Sequence, residues 1–271
     1  MAYNSIIYFN NHLLEKLAMR LAGFKTLLLD VEQLRIKSAV SNAWEVMTDI
    51  NDITLDKTFF NIKKGGFEDK FSLGRIIDKI SSDYKMVFGN NVKKAAVNVP
   101  TLGTNEDAKM LRELLTRHYR KPYFIHTSEA VTYGEGLATA LVVEASCFSV
   151  ISTVINNKLM SKEYYEGYAG INKSIKRLGI DFKEALKGEL FEDTQGFPYI
   201  IKGLLFNTGM AERKELMNNI LLTGPLVYEK DFYNMFNHYL EEVIGREVSN
   251  PPRIIDTDAV IKGLFDYSKK F

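Results

Sequence analysis

Thr26-Leu27-Leu28-Leu29-Asp30 is a short apolar run that ends in a carboxylate. The device returns at Leu141-Val142-Val143-Glu144-Ala145-Ser146 and, with a small polar turn in place of the acid, at Ile220-Leu221-Leu222-Thr223-Gly224-Pro225. Uninterrupted apolar runs of this length read as strands buried on both faces, and the strand ends of an α/β sheet are where such folds receive a phosphate or a base. Outward from the first run, Val31-Glu32-Gln33 reads as a turn and Leu34-Arg35-Ile36-Lys37 as the returning arm of a hairpin. What fills such turns decides the chemistry, because only glycine lets backbone N–H groups approach an anion with no Cβ in the way.

Composition excludes several classes. With 271 residues, 46% hydrophobic and 25% charged, the chain can bury a sizeable core in one or two domains. A formal net charge of +1 without a polybasic run argues against an electrostatic nucleic-acid binder. Cys147 is the single cysteine, so no internal disulfide exists and a reducing interior is the expected setting. It reads as a small buried hydrophobe, with no histidine or lysine cluster nearby to make it a nucleophile. His12, His118, His126 and His238 stand far apart without metal-ligand spacing. The longest apolar runs are strand-sized, so no membrane span is expected. Leu13, Leu14, Leu17, Ala18 and Leu21 form one helical stripe, read as a short amphipathic helix, and Trp44 is either an exposed anchor or a local packing residue.

The remaining pattern alternates strands and helices. Residues 42–57 are polar and acidic, followed by Phe59-Phe60 and a turn at Lys64-Gly65-Gly66. Ile76, Ile77, Ile80, Tyr84 and Val87 recur at helical spacing, and residues 94–99 read as a strand closed by Pro100. Thr104 or Asn105 caps a helix with Met110, Leu111, Leu114 and Leu115 as its core face, running until Pro122 stops it. Strands are expected at 122–125, 137–144 and 148–155, with hairpin chemistry at Asn156-Asn157-Lys158. Helices follow at 172–178 and 182–186, then a strand at 219–222 and an amphipathic helix carrying Phe232, Met235, Phe236, Tyr239, Leu240 and Val243. Pro251-Pro252 ends it, and Arg253-Ile254-Ile255 and residues 259–267 close the chain as strand and helix. Two hairpin-plus-helix units joined without a linker give an α/β class with a duplicated ribonuclease H-like plan.

These segments resemble the actin family. Residues 26–40 are similar to its first strand and hairpin, and Val97-Asn98-Val99-Pro100 to the strand and proline of subdomain 1. Pro122-Tyr123-Phe124-Ile125, Tyr133-Gly134-Glu135-Gly136 and the strand into Glu144 resemble the run into the second phosphate hairpin. Ala169-Gly170 is similar to the segment after it, residues 219–224 to the adenine-side strand, and Pro251-Pro252-Arg253 with Ile261-Lys262-Gly263 to the carboxyl-terminal return. Tyr165-Glu166-Gly167-Tyr168-Ala169 matches an actin string by letters but is read as offset from it. The resemblance implies an actin-like fold with reduced outer subdomains 2 and 4. Its first half is 1–135, completed by 258–271, and its second half is 136–257.

Departures from the family pattern shape the functional expectation. Val31, Glu32, Gln33 and Leu34 stand where the first phosphate hairpin has its glycine-serine-glycine turn, and Ser146, Cys147 and Phe148 replace the glycine pattern of the second. The glutamine that orients water in the family aligns near Thr127, and Pro225 follows Gly224 where a second glycine belongs. Asp30, Glu144, Thr223 and Gly224 are therefore vestigial nucleotide-cleft candidates, with the plain alternative that Asp30 and Glu144 merely end strands and bond backbone or water. ATP hydrolysis is not expected and no cofactor or metal is required, although ATP binding without hydrolysis is compatible with the pattern. Small size and trimmed outer subdomains resemble the fungal pointed-end actin-related subunit of dynactin, the tenth or eleventh type. That implies a non-catalytic cap on an actin-like filament in the cytoplasmic cytoskeleton, partnered by dynactin's filament and by shoulder components such as dynamitin, without nucleic acid or membrane. The alternatives are an actin-related subunit of a nuclear chromatin remodeller and a reduced bacterial actin-like ATPase.

Overall fold

β1 (Lys25–Val31) is buried along its whole length, as a strand covered on both faces must be. It pairs antiparallel with β2 (Arg35–Ser41), placing Asp30 opposite Lys37, and β2 pairs with β3 (Asn51–Thr54). On its other side β1 runs parallel to β6 (Val92–Val99), which runs parallel to β7 (Lys121–His126). A second sheet repeats this plan with β8 (Ala140–Glu144) at its centre. β9 (Phe148–Ile155) and β10 (Lys158–Glu166) follow antiparallel on one side, and β11 (Ile220–Thr223) and β12 (Arg253–Ile254) lie parallel on the other. The computed structural model describes residues 25–33, 35–55, 60–61, 66–67, 69–245, 250–256 and 258–271. The stripe from Leu13 to Leu21, Leu34, Phe59, Lys64 and Gly65 lie outside them.

Local chemistry sets most boundaries. A two-residue ribbon of β4 (Phe60–Asn61) and β5 (Gly66–Phe67) precedes α1 (Lys70–Phe88), whose N-cap Asp69 accepts from the Ser72 amide at 2.9 Å. Thr104 and Asp107 form a reciprocal capping box on α2 (Asn105–Thr116), and Asp107 also accepts from the Phe67 amide at 2.9 Å. That helix ends at Thr116 rather than running to Pro122, which lies inside the edge strand β7, where a missing N–H is tolerated. Gly136 turns the chain at φ 67°, so β8 begins at Ala140, later than the pattern suggested. Asn156 and Asn157 both take positive φ, 52° and 62°, the type I′ geometry that joins β9 to β10.

Three apolar clusters fill the molecule. One packs α1 and α2 on the outer face of the first sheet. A second packs helices on the second sheet: α4 (Tyr168–Leu178), α5 (Phe182–Lys187), the π turn Gly188–Glu192, α6 (Phe197–Phe206), α7 (Met210–Asn218) and α8 (Phe232–Ile244). Its centre is aromatic, with Phe191 meeting Phe232 edge-on at 5.6 Å. The third lies between the sheets and is built around small residues, Ala39, Ala96, Ala130, Ala140 and Ala259 among them. There α3 (Thr127–Gly134) crosses α9 (Ala259–Ser268) so closely that a Cβ on Gly263 would strike the Ala130 carbonyl, and one on Gly134 the Ala259 carbonyl.

Candidate functional site

The two sheets present the β1–β2 and β8–β9 turns to each other across a cleft. Asp30, next to last in β1, has no exposure at all, and its Oδ1 accepts from the Asn98 side-chain amide at 2.8 Å. The same amide donates to Thr127 Oγ1 at 2.8 Å, and Asn98 Oδ1 accepts from the Val31 amide. One buried asparagine therefore joins the ends of β1, β6 and α3. Burial pushes the Asp30 carboxyl well above its ordinary range; Glu32 and Glu144 add to the push and Lys37 opposes it.

Across the cleft Glu144 ends β8. Its Oε1 is sealed from water and has no hydrogen-bond partner among the described residues, although the side chain as a whole keeps some exposure. Burial raises its pKa from 4.5 to about 7, the Glu32 charge adding while Thr101 and Lys162 oppose. Lys162 reaches from β10 to the opposite half and donates to the carbonyls of Thr101 at 2.6 Å and Gly103 at 3.2 Å.

Gln33 links the two turns directly. Its Nε2 donates to the Phe148 carbonyl at 2.6 Å and its Oε1 accepts from the Phe148 amide at 3.0 Å. A side-chain amide thus pairs with the opposite hairpin as a strand would, and Gln33 is buried in doing so. Lys37, one residue row deeper, is a nearly inaccessible cation 3.6 Å from both Glu32 and Asp258.

Beneath this link lies a cavity of about 50 Å³ lined by Glu32, Gln33, Thr127, Glu144, Thr223 and Gly224 among others. Outside it the cleft widens to about 520 Å³ between Arg35, Lys37, Tyr168, Gly224, Tyr228 and Glu229. Gly224 has φ 95° and lies so near the Ala145 carbonyl that a Cβ would collide, while the Ala145 amide donates to the Thr223 carbonyl at 2.7 Å. Of the sequence candidates, Glu144, Thr223 and Gly224 line the inner cavity, whereas Asp30 sits behind it in the Asn98 bond. The Tyr165–Ala169 string belongs to the cleft wall: a Cβ on Gly167 would strike the Ser146 carbonyl, and the Tyr168 hydroxyl bonds Glu229.

Sequence reading missed Gln33 as a bridge and passed over Lys37, Asn98 and Lys162. The strand pairing of Asp30 with Lys37 marks the lysine only once the hairpin register is known. Cys147 sits half-buried in the second turn, and burial pushes its thiol up, away from the thiolate. Trp44 is 69% exposed. Among the described residues no group of His, Cys, Asp and Glu is arranged to hold a metal, and no helix is long and apolar enough to cross a membrane.

Protonation of Glu144 has a measurable consequence. A folded-state pKa above the unfolded value contributes stability that is complete below about 4.5 and lost as pH rises through about 7. Glu144→Gln removes that loss. The variant is expected to exceed the parent by on the order of 2 kcal/mol at pH 8 and to match it near pH 4.5, as read by urea unfolding at both values.

Duplicated five-stranded sheets, paired crossing helices between them and a cleft lined by their hairpin turns define the actin-like fold. No family model matches the chain, and no curated protein matches its sequence. Solved structures match in three dimensions. MreB5 of Spiroplasma citri bound to ADP aligns at 12% identity over 89% of this chain and 94% of that one, with a TM-score of 0.64. The ethanolamine utilization protein EutJ from Carboxydothermus hydrogenoformans aligns at 13% identity over 90% of each chain, with a TM-score of 0.59. Likeness at this identity establishes the fold.

Proposed function

We propose that this chain is a non-hydrolysing actin-fold assembly subunit, its cleft held shut by its own side chains in place of a phosphate. The observation that carries the reading is the paired hydrogen bonding of Gln33 with Phe148, which occupies the gap between the turns. The carboxyl groups of Asp30, Glu32 and Glu144 surround that gap and offer a polyphosphate no compensating donors, with Lys37 and Lys162 as the nearby cations. The 50 Å³ space beneath the link accepts a few waters, so a phosphate seated between the two turns would have to displace Gln33, while the 520 Å³ outer cleft stays open.

The finer proposal is a terminator: a subunit that caps the pointed end of an actin-like filament, in a dynactin-type complex with dynamitin-like partners in the cytoplasm. Head-to-tail assembly needs two complementary faces, and a subunit with small outer subdomains offers one of them poorly. A second reading is a bacterial actin-like filament protein that binds ATP or ADP. It is favoured by the likeness to nearly the whole of Spiroplasma MreB5, which is described bound to ADP and to AMPPNP.

Purified protein is expected to release no phosphate from magnesium-ATP above a buffer blank, and to stay in the supernatant when centrifuged alone at micromolar concentration. Turnover abolished by Asp30→Ala would overturn the non-hydrolysing reading. Sedimentation of the protein by itself as polymer would favour the bacterial filament.

A further inference from the structure

We propose that Gln33 and Phe148 form a proton-linked latch between the two halves of the molecule, closed while Glu144 is neutral and released as it ionises. Gln33 bonds both backbone groups of Phe148, the first residue of β9, which follows the turn after Glu144. Glu144 lines the cavity beneath the link, Asp30 lies behind it beside Glu32, and Asp30 Oδ2 and Glu144 Oε1 are both sealed from water. Asp30 and Glu32 stand on the first sheet and its turn and Glu144 on the second, so closing the latch brings these carboxyl groups together and opening it separates and hydrates them.

Charged groups facing the site come from every element around it. Asp30 and Glu32 stand on the β1–β2 side, with Lys37 of β2 held between Glu32 and Asp258. Lys162 of β10 approaches Glu144 from the other side, its Nζ committed to the Thr101 and Gly103 carbonyls. His126, beside Lys162 and Glu129, is held below its ordinary range chiefly by burial. Glu229 is engaged by the Tyr168 hydroxyl at the outer rim. Burial raises the Glu144 pKa to about 7, so rising pH up to that value favours the open form, and Asp30, also raised by burial and by Glu32, acts in the same direction.

This inference concerns how the cleft opens and stands apart from whether it turns over ATP, so the two tests fail separately. The experiment is amide hydrogen exchange on the full chain without nucleotide, reading the Phe148 amide at a series of pH values, each rate divided by its intrinsic chemical rate. Corrected exchange at Phe148 is expected to rise about tenfold per pH unit between 5.5 and 7 and to level off above it. Glu144→Gln is expected to stay protected throughout, and Gln33→Ala to exchange freely at pH 5.5. A parent chain with pH-independent protection, a Glu144→Gln variant that keeps the rise, or a Gln33→Ala variant still protected at pH 5.5 would each overturn the latch.

Discussion

Gly263→Val is expected to destabilise the fold by more than about 4 kcal/mol, enough to remove most soluble protein. Gly263 sits in α9 where its Cα faces the Ala130 carbonyl of α3, and an added Cβ would overlap that backbone atom. A side-chain neighbour could rotate away. A helix backbone cannot do so without moving both helices, and these helices fill the layer between the two sheets. Gly134 meets the Ala259 carbonyl in the same way, so the two helices interlock and neither substitution has room to relax. Gly203→Ala supplies the control: Gly203 lies within α6 with nothing near its missing Cβ, and alanine there is expected to stabilise by about 0.5–1 kcal/mol. Urea unfolding of both variants checks the pair. A Gly263→Val chain as stable as the parent would mean that this helix crossing is not a rigid part of the layer between the sheets.

Asn98→Ala is expected to cost about 3 kcal/mol. Its side chain satisfies the Val31 amide, one oxygen of Asp30 and the Thr127 hydroxyl, all deep in the molecule. Removing it leaves the Val31 amide and one Asp30 oxygen without their partner, while the Thr127 hydroxyl keeps only its bond to the Val99 carbonyl. Because Asp30 is held above its ordinary pKa, part of the loss should be recovered at acid pH, where a neutral carboxyl needs less support. Unfolding at pH 5 and pH 8 measures both effects, and a loss below about 1 kcal/mol at both would show that water replaces the amide.

The strands that carry the fold were legible because each is an apolar run with a sharp end. β1, β6, β8 and β11 are buried almost throughout, and a strand covered on both faces leaves that uninterrupted signature. β10 was not legible: Lys158–Glu166 is mostly exposed and mixes charged and aromatic residues, so it declares itself only by pairing with β9. α6 was missed for the opposite reason, since Phe197-Pro198-Tyr199-Ile200-Ile201 is apolar around most of the helix and shows no polar face to set the period. β3 hid within the polar stretch 42–57, its residues largely exposed beside β2.

By itself the sequence determined the duplicated α/β plan, the strand ends carrying Asp30, Glu144, Thr223 and Gly224, and the bulky residues in both turns. These follow from hydrophobic period and turn chemistry, which act over a few neighbouring residues. Tertiary structure decided what the turns do to one another. Gln33 and Phe148 are 115 positions apart, so no local pattern could announce their pairing. The raised pKa of Glu144 arises likewise from burial and from charges on other elements, and the glycines of α3 and α9 acquire meaning only where two backbones meet.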